Sequence, residues 1–515
     1  MLIPITYFGG GIARDYAQGR TGECSICKNF DVLSLPNRLQ PTRTVSVGTE
    51  PTDTEIGNII MASNGEMYGV GTNPVDGTAG ELYRRTAFGS GNVWADFSTD
   101  QLSGAAPNYD FLVYWPESGA TTARNIFWAS ANLLVRSAEG SSAVTQALTF
   151  STIGQGLVHP KDKKLYFPYQ TSDAFKIGIF SSNTADFSGL GTPWTVLSST
   201  RYRAYCLSNY GDYLAIPMTA ASTGGGVHRS SVGLWDRDTS LTTFNETIPW
   251  GAGALKVLNN LSGALIGISE YLGDNTGTAH SSDIDKIEIK VFTGGSEPET
   301  VKELIVNKIS TTSPSCILNP RVNFIHNNRL YFSANLVGGG EDHYGVYSVG
   351  RNLFGEWTVQ LEYQTVGACL AAAMNGNFLS LVDTTVGSVR SSVYGTDIDG
   401  TTFSTQSIWD SCINPDMPVA DKRKMKKLVG VYANYLPLPS AAEVIMQYRV
   451  DSTKSGAWTT IFTETTNSAV LTEKVKDSDG AQFKEGVSYE FRLISTGGAI
   501  ITEWGYKYET LNSQL

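Results

Sequence analysis

The stretch RVNFIHNNRLYFSA, from Arg321 to Ala334, decides the fold of this chain. An apolar run reaches a tight polar turn and a second apolar run follows at once, which is the pattern of a β-hairpin. The same pattern recurs, for example as YCLSNYGDYLAI from Tyr205 and as LAAAMNGNFLSLV from Leu370. A pattern that returns at a regular spacing predicts a repeat architecture.

The hairpins recur about every 50 residues. The first apolar residues after six of the turns are Met67, Leu165, Leu214, Leu265, Leu330 and Phe378. The interval from 67 to 165 is 98 residues, or two periods, which predicts a further hairpin in the stretch that begins FLVYWPESGATTARNIFWA at Phe111. Seven units result, each close to the ~40–50 residues of a four-stranded propeller blade.

Each unit continues beyond its hairpin. A third apolar strand follows, such as SVGLWDRD from Ser231, and then a short fourth strand that often holds tryptophan, as at Trp94, Trp194 and Trp357. A lone four-stranded blade cannot bury both of its faces, whereas seven blades stacked around an axis can. We therefore predict an all-β protein, a seven-bladed β-propeller followed by a small C-terminal β-sandwich.

The predicted domains follow from these patterns. Residues 1–58 form an N-terminal extended arm, in which Thr42–Val47 is the candidate strand that closes the propeller ring; a surface arm that docks on a neighbour is the alternative. The propeller spans residues 59–410, with its seventh unit ending near Trp409, and 411–427 is a linker. Residues 428–515 carry alternating strands of a compact β-sandwich. The stretches Asp274–Asp283 and Ser296–Ser315 are predicted surface loops of the fifth unit.

The bulk composition limits the choice of partners. The chain has 515 residues, 53 of them glycine, and a formal net charge of −11, which argues against nonspecific binding to nucleic acid or anionic membranes. The basic run DKRKMKKLVG from Asp421 could form a phosphate patch, but a solvated beginning of a strand is the preferred interpretation. We expect neither a signal peptide in MLIPITYFGGGIARD nor a membrane-spanning segment.

Carboxylates are the first place to look for chemistry, because glycosidases on propellers need two of them converging near the axis. The candidates are Asp110, Asp173, Asp212, Glu270, Asp342, Glu356 and Asp383. Their positions within the repeat differ and nothing marks a pair. Turns such as TDIDGTTF from Thr396 resemble the Asp-box of sialidases only loosely, and an Asp-box is itself a structural turn.

Metal ligands are equally hard to assemble from the sequence. The cysteines are Cys24, Cys27, Cys206, Cys316, Cys369 and Cys412, and the histidines are His159, His228, His280, His326 and His343. The pair in CSIC lacks the second pair that a zinc site requires, and DIDG lacks the remaining ligands of a calcium loop. We therefore predict no catalytic, cofactor-binding or metal-binding residues, no cofactor and no enzymatic activity.

Two stretches resemble tail structural proteins of tailed bacteriophages. GECSICKNFDVLSLPNRLQP, from Gly22 to Pro41, is similar to the opening of phage virion proteins. The stretch from Lys424 to Phe462 is similar to a β-sandwich of phage tail proteins, in which a strand ending Tyr-Arg-x-Asp, here at Tyr448, leads to a tryptophan strand.

This resemblance implies a structural virion protein of the tail, a nozzle or tail-tube ring subunit that forms part of the DNA-exit channel. Its partners would be other copies of itself in a ring, for which six-fold symmetry would fit a nozzle, together with neighbouring tail or portal/adaptor proteins and viral DNA in passage. It would be assembled in the host cytoplasm and reside in the virion. The alternatives are a glycan- or receptor-binding propeller of the virion and, ranked lower, a polysaccharide-cleaving glycosidase.

Overall fold

The computed structural model describes most of the chain and confirms the all-β prediction, because its described residues form strands and turns without a helix. The described residues are 1–13, 20–43, 46–47, 56–62, 65–72, 79–85, 94–97, 106–115, 125–138, 144–181, 187, 189–220, 229–271, 286–305, 315–337, 343–375, 378–384, 391–397, 406–451 and 456–511. Within them, no helix is available that could cross a bilayer.

The strands group along the chain. The N-terminal strands are β1 (Leu2–Ile5), β2 (Gly11–Ile12), β3 (Glu23–Lys28) and β4 (Ser46–Val47). Sheet 1 contains β5 (Ile56–Met61), β6 (Met67–Thr72), β7 (Gly80–Arg85) and β8 (Trp94–Asp96). Sheet 2 contains β9 (Pro107–Tyr114), β10 (Asn125–Ser130), β11 (Leu133–Ala138) and β12 (Val144–Ala147). Sheet 3 contains β13 (Thr152–Ile153), β14 (Leu157–Val158), β15 (Leu165–Gln170), β16 (Phe175–Phe180) and β17 (Trp194–Leu197).

The following sheets repeat this plan. Sheet 4 contains β18 (Tyr202–Arg203), β19 (Ser208–Tyr210), β20 (Tyr213–Ala220), β21 (Arg229–Trp235) and β22 (Glu246–Ala252). Sheet 5 contains β23 (Ala254–Leu261), β24 (Ala264–Tyr271), β25 (Lys286–Phe292) and β26 (Glu299–Ile305). Sheet 6 contains β27 (Ser315–His326), β28 (Arg329–Val337), β29 (His343–Arg351) and β30 (Trp357–Gln364). Sheet 7 contains β31 (Cys369–Asn375), β32 (Phe378–Thr384) and β33 (Ser391–Asp397), with β4. The C-terminal strands are β34 (Ser407–Ser411), β35 (Lys426–Tyr435), β36 (Glu443–Val450), β37 (Thr459–Glu464), β38 (Leu471–Lys474), β39 (Tyr489–Thr496) and β40 (Ile501–Thr510).

Tight turns explain why successive strands pair as antiparallel neighbours. Asn327 and Asn328 both have positive φ, 46° and 58°, between β27 and β28. Ser262 and Gly263 have φ of 53° and 88° between β23 and β24. Two consecutive residues with positive φ are typical of the two-residue turn whose twist matches that of paired strands. The polar turn residues seen in the sequence therefore fix the hairpins.

Apolar cores lie between successive sheets. Sheets 1 and 2, 2 and 3, 3 and 4, 4 and 5, 5 and 6, and 6 and 7 each share a cluster of buried side chains. Sheets 7 and 1 share one as well, in which Ala371 and Ala373 pack with Ile56 and Ile59. Each sheet thus buries both of its faces against two neighbours.

The last strand of sheet 7 comes from the N-terminal part of the chain. Ser46 and Val47, within the predicted closing segment, pair with Gly395 and Tyr394 of β33. The end of the seventh unit near Trp409 is therefore placed differently from the prediction: β34 pairs with β3 and β39 and lies outside sheet 7. The periodic pattern could not reveal this, because β34 is a plausible fourth strand by its composition.

Two C-terminal sheets enclose one core. One has the order β1-β40-β35-β38, and the other has the order β3-β34-β39-β36-β37. Buried aromatic side chains from both meet there, among them Trp409, Phe491 and Trp504. The N-terminal strands β1 and β3 are members of these sheets, so the first residues do not lie free as an arm. The parallel pairing of Lys28 with Leu361 also continues the second sheet into sheet 6.

Two smaller predictions differ from the structure. The first residues of β35, Lys426 and Lys427, fall inside the predicted 411–427 linker, and Lys426 is fully buried rather than solvated. Part of the predicted Ser296–Ser315 loop is β26, which pairs with β25. The other predicted loop, Asp274–Asp283, lies outside the described residues. The boundaries of the domains themselves stay a prediction.

Candidate functional site: a cluster at the bulges of the first strands

The first strand of every one of sheets 1–7 is irregular at an equivalent level. Extra residues interrupt the register at Gly57 in β5, at 109–111 in β9, at Lys256 in β23, at 320–322 in β27 and at Leu370 in β31. In sheets 3 and 4 the first strand is split, at 154–156 and at 204–207. Bulges re-aim side chains and are frequent beside functional sites.

We call the residues at these irregularities the bulge cluster. Its members, one per sheet in chain order, are Gly57, Asp110, Gln155, Tyr205, Lys256, Arg321 and Leu370. Five of the seven carry a charged or hydrogen-bonding side chain, although the strands on either side are rich in buried apolar residues. These five polar side chains, at the same level of the first strands of sheets 2–6, are the main candidate for chemistry in this chain.

Hydrogen bonds at the bulges join sheet to sheet. Asn58 donates to the Tyr109 carbonyl at 2.7 Å, Gln155 donates through its side chain to the Leu112 carbonyl, and the Gln155 amide N–H donates to the Tyr205 carbonyl at 2.8 Å. Lys256 Nζ donates to the Leu318 carbonyl at 3.3 Å. These bonds satisfy backbone groups that the bulges remove from the strand ladders.

Asn319 extends this set of bonds to sheet 7. Its side-chain amide donates to the carbonyls of Cys369, at 3.0 Å, and Leu370, at 2.6 Å. Between sheets 4 and 5, the Cys206 thiol donates to the Lys256 carbonyl at 3.6 Å. Each bulge from sheet 1 to sheet 6 is therefore bonded to the bulge region of the next sheet.

Arg321 reaches furthest across the cluster. Its Nε lies 2.9 Å from Asp110 Oδ1, which joins sheet 6 to sheet 2. Its Nη1 donates to the Gly57 carbonyl at 3.3 Å, and its guanidinium lies 5.4 Å from the centre of the Tyr109 ring. The Asp110 side chain is still 45 % exposed. The pair thus leaves an accessible carboxylate beside an oriented guanidinium.

Tyr205 lies among charged groups. The Arg203 guanidinium is 4.7 Å and the Lys256 ammonium 5.6 Å from its ring centre, as expected of cation–π contacts. Burial, together with the Glu270 and Asp110 carboxylates, raises the pKa of Tyr205 to about 12 against the opposing effect of Arg203. The phenol therefore stays protonated at neutral pH and can donate a hydrogen bond.

Glu270, from β24, contacts the bulge cluster through Lys256. One carboxylate oxygen, Oε2, accepts from Lys256 Nζ and from the Leu318 amide N–H, each at 2.7 Å. The Glu270 side chain is only 7 % exposed. This geometry fixes the Lys256 ammonium beside the Glu270 carboxylate.

The structure brings together two of the seven candidate carboxylates. Asp110 and Glu270 both act on Tyr205. Asp173 and Asp212 lie in exposed turns, bonded to Thr171 and Lys161. The rest are dispersed or undescribed: Glu356 lies in a turn where it accepts from Tyr7, Asp383 is buried on β32, and Asp342 is outside the described residues.

The histidines and cysteines that the structure describes form no comparable group. His159 is buried, with Nε2 3.2 Å from Arg237 Nη1, and burial and Arg237 lower its pKa. Cys24 and Cys27 are buried in the C-terminal core, where burial raises the pKa of Cys24. In the part of the chain that the structure describes, no three His, Cys, Asp or Glu side chains are arranged to hold a metal ion.

Sequence reasoning missed five polar members of the cluster as a group. Tyr205, Lys256 and Arg321 each precede a recognisable hairpin turn by a few residues, so their register against the turns was a usable signal. The residue types differ from unit to unit, however, and bulges are not visible in the apolar pattern. Convergence could be recognised only from the three-dimensional arrangement.

Comparison with known proteins identifies no family for this chain. No protein-family model matches the chain, and no curated protein matches it. Among solved structures it is similar to the Dos1 propeller, with a TM-score of 0.39 and 11 % identity over 71 % of this chain and 97 % of that one. It is also similar to YjhT, with a TM-score of 0.32 and 14 % identity over 61 % and 99 % of the two chains. The described residues themselves show an all-β protein built of several small sheets.

One expectation is corrected by these comparisons. A GH43 endo-arabinanase from Bacillus licheniformis is also similar, with a TM-score of 0.30 and 13 % identity, covering 61 % of this chain and 100 % of that one. Because glycoside hydrolases stand among the similar structures, the prediction that the chain is not an enzyme is wrong as stated and is withdrawn. At these TM-scores the likeness itself carries no argument about an activity of this chain.

Proposed function

We propose that sheets 1–7 are the blades of a seven-bladed β-propeller, that the C-terminal sheets form a β-sandwich, and that the bulge cluster binds a saccharide at one end of the propeller axis. The shared cores between successive sheets, including that between sheets 7 and 1, support the closed ring. The observation that carries the proposal is the bulge in every first strand, which turns polar side chains of non-adjacent sheets toward one another.

A hydroxyl-rich ligand fits the chemistry of this cluster. Sugar hydroxyls both donate and accept hydrogen bonds, and the cluster offers the Asp110 carboxylate as acceptor beside the donors Arg321, Lys256 and Tyr205. Ligand sites with a few convergent polar groups on aromatic or apolar walls are typical of small-molecule recognition. Tyr109 and Tyr205 supply such walls here.

Hydrolysis of the bound saccharide is the second candidate. It is favoured by the presence of two carboxylates from different sheets, Asp110 and Glu270, around Tyr205. Glycosidases require one carboxyl group to give a proton. Asp110, whose side chain is 45 % exposed, is the carboxylate assigned to contact the ligand.

Asp110→Asn is expected to weaken saccharide binding roughly 10- to 100-fold, because it removes a charged acceptor and disturbs the Arg321 pair. Binding would be found with a glycan array and measured by calorimetry with the best oligosaccharide. Asp173→Asn, an exposed turn carboxylate, is the matched control and should bind like the unaltered protein. Thermal unfolding of both variants would verify that each is folded.

The same samples separate binding from cleavage. Release of new reducing ends that Asp110→Asn abolishes would establish the hydrolytic candidate. A saccharide site at the bulge cluster would be contradicted if no binding were detected on the array and in calorimetry. Equal binding by Asp110→Asn and the unaltered chain would contradict it as well.

We further propose a virion setting for the chain, as a ring subunit of a bacteriophage tail that contacts its own copies, neighbouring tail or portal/adaptor proteins and DNA in passage. The two segments that resemble tail proteins lie close together, because β3 neighbours β34, then β39, then β36 in one sheet. The edge strand β38 and its flanks leave Val470, Leu471 and Val475 more than half exposed, as a surface covered in an assembly would.

Electron microscopy of the purified chain should show closed rings of identical subunits if this setting holds. Rings are expected because repeated head-to-tail contacts close when the rotation between subunits permits it. Sedimentation of the same sample as a monomer over the whole accessible concentration range would contradict the ring.

A further inference from the structure

A polar groove lies far from the bulges, between the N-terminal segment and sheet 6. Its volume is about 790 Å³, within the ~300–1,000 Å³ of small-molecule sites. Residues 31–43 form one wall, and the β27–β28 turn, the β29–β30 turn and β30 form the other. Lining side chains from separate segments make it a built cavity rather than a gap under one loop.

The charged side chains at the floor of the groove are paired with one another. Arg329 Nη1 lies 2.6 Å from Glu362 Oε1, and its Nη2 lies 3.0 Å from Asp31 Oδ1. Burial raises the pKa of Glu362, whereas the Arg329 charge and bonds from Ser34 outweigh burial and lower that of Asp31. Arg329 is therefore committed to the two carboxyl groups and is not available to a ligand.

The mouth of the groove carries an uncommitted cation. The Arg351 guanidinium lies 5.0 Å from the centre of the Trp357 ring, which orients it, and the residue is exposed. Within the described part of the chain no carboxylate pairs with it. The lining contains three guanidiniums, of Arg43, Arg329 and Arg351, against the two carboxyl groups of the floor. The groove therefore favours an anion at its mouth.

The remaining lining indicates what the anion is attached to. Asn327 and Gln40 present amide groups, and the side chain of Leu353 is 76 % exposed at the rim. Amide groups match sugar hydroxyls, and an apolar rim matches the C–H face of a sugar ring. A guanidinium recognises a carboxylate through two parallel hydrogen bonds.

We propose that this groove binds an acidic oligosaccharide, with Arg351 recognising the carboxylate of a uronic acid and the amide side chains of Gln40 and Asn327 holding its hydroxyl groups. This site is separate from the bulge cluster and does not depend on the function proposed there.

Calorimetry with a galacturonic acid trimer and with its carboxyl-reduced, neutral counterpart tests the proposal on the full chain. The acidic trimer should bind and the neutral one should bind at least roughly 10-fold more weakly, because a charge-assisted pair is lost. Arg351→Gln should lower the affinity for the acidic trimer by roughly 10- to 100-fold. Arg351→Lys should lower it by less, because lysine keeps the positive charge but cannot form the two parallel hydrogen bonds of a guanidinium.

Controls make the outcome decisive. Arg423→Gln removes an exposed arginine elsewhere and should leave binding of the acidic trimer unchanged. Thermal unfolding checks that Arg351→Gln is folded. Equal affinity for the two trimers, unchanged binding by Arg351→Gln, or inorganic phosphate binding as tightly as the acidic trimer would overturn the proposal.

Discussion

Phe8→Ala is expected to lower the free energy of unfolding by about 3–5 kcal/mol, the usual cost of truncating a buried aromatic side chain. Phe8 is fully buried and meets Trp409 edge to face, with 5.7 Å between ring centres. Both side chains belong to the core between the two C-terminal sheets, although Trp409 lies about 400 residues from Phe8 along the chain. The loss arises from removed apolar contact and the cavity left behind. Urea unfolding followed by tryptophan fluorescence would measure it.

Phe354→Ala is the matched control for that experiment. Phe354 is 68 % exposed in the β29–β30 turn and contacts Tyr7 edge to face at 5.6 Å, so the same truncation there should lower the free energy of unfolding by at most about 1.5 kcal/mol. If the two variants were equally stable, the N-terminal segment would not be part of the C-terminal core. The comparison therefore tests the placement of residues that the sequence indicated to be an extended arm.

Lys426→Met is expected to cost about 3–5 kcal/mol, as removal of one partner from a buried charged set does. The Lys426 ammonium donates to the carbonyls of Val487, Asp421, Lys424 and Lys422, at 2.6, 2.9, 2.9 and 3.3 Å. Methionine fills a similar volume but leaves all four oxygens without their donor. Burial lowers the pKa of Lys426, yet these oxygens keep the ammonium form bonded. Equilibrium unfolding in urea would measure the change.

Lys424→Met provides the comparison within the same basic run. The Lys424 side chain is 52 % exposed and pairs with Asp421 at 2.8 Å, and surface pairs of this kind contribute at most about 1 kcal/mol. A loss of similar size in both variants would show that Lys426 acts as another surface charge. A loss confined to Lys426→Met would show that it ties the loop at 421–424 to the strand that follows.

The repeated hairpins could be predicted because their signal is local. An apolar run, a turn of asparagine and glycine, and a second apolar run determine a two-stranded unit without reference to the rest of the chain, and β27–β28 forms as the stretch from Arg321 indicates. The third strands, such as β21 and β25, follow for the same reason. Alternation of buried and exposed residues then fixes which face packs against the next sheet.

The pairing of distant segments could not be predicted, because many strands have similar apolar composition. β34 has the composition of a fourth strand of sheet 7 but pairs with β3, close to the N-terminus. Likewise, Asp31 gives no sign in the sequence that it meets Arg329 and Glu362. Such contacts are decided by which surfaces remain unpaired once the local hairpins have formed.

By itself, the sequence determined the all-β class and the positions of the hairpins, since turn chemistry and apolar alternation act between residues close in the chain. Only the tertiary structure decided which side chains share a site. The bulges re-aim Asp110, Tyr205 and Arg321 by shifting the strand register by a few residues. Which side chains they then meet depends on strands some 50 to 200 residues distant along the chain. A charged residue becomes a candidate ligand contact only when folding brings it to others across that distance.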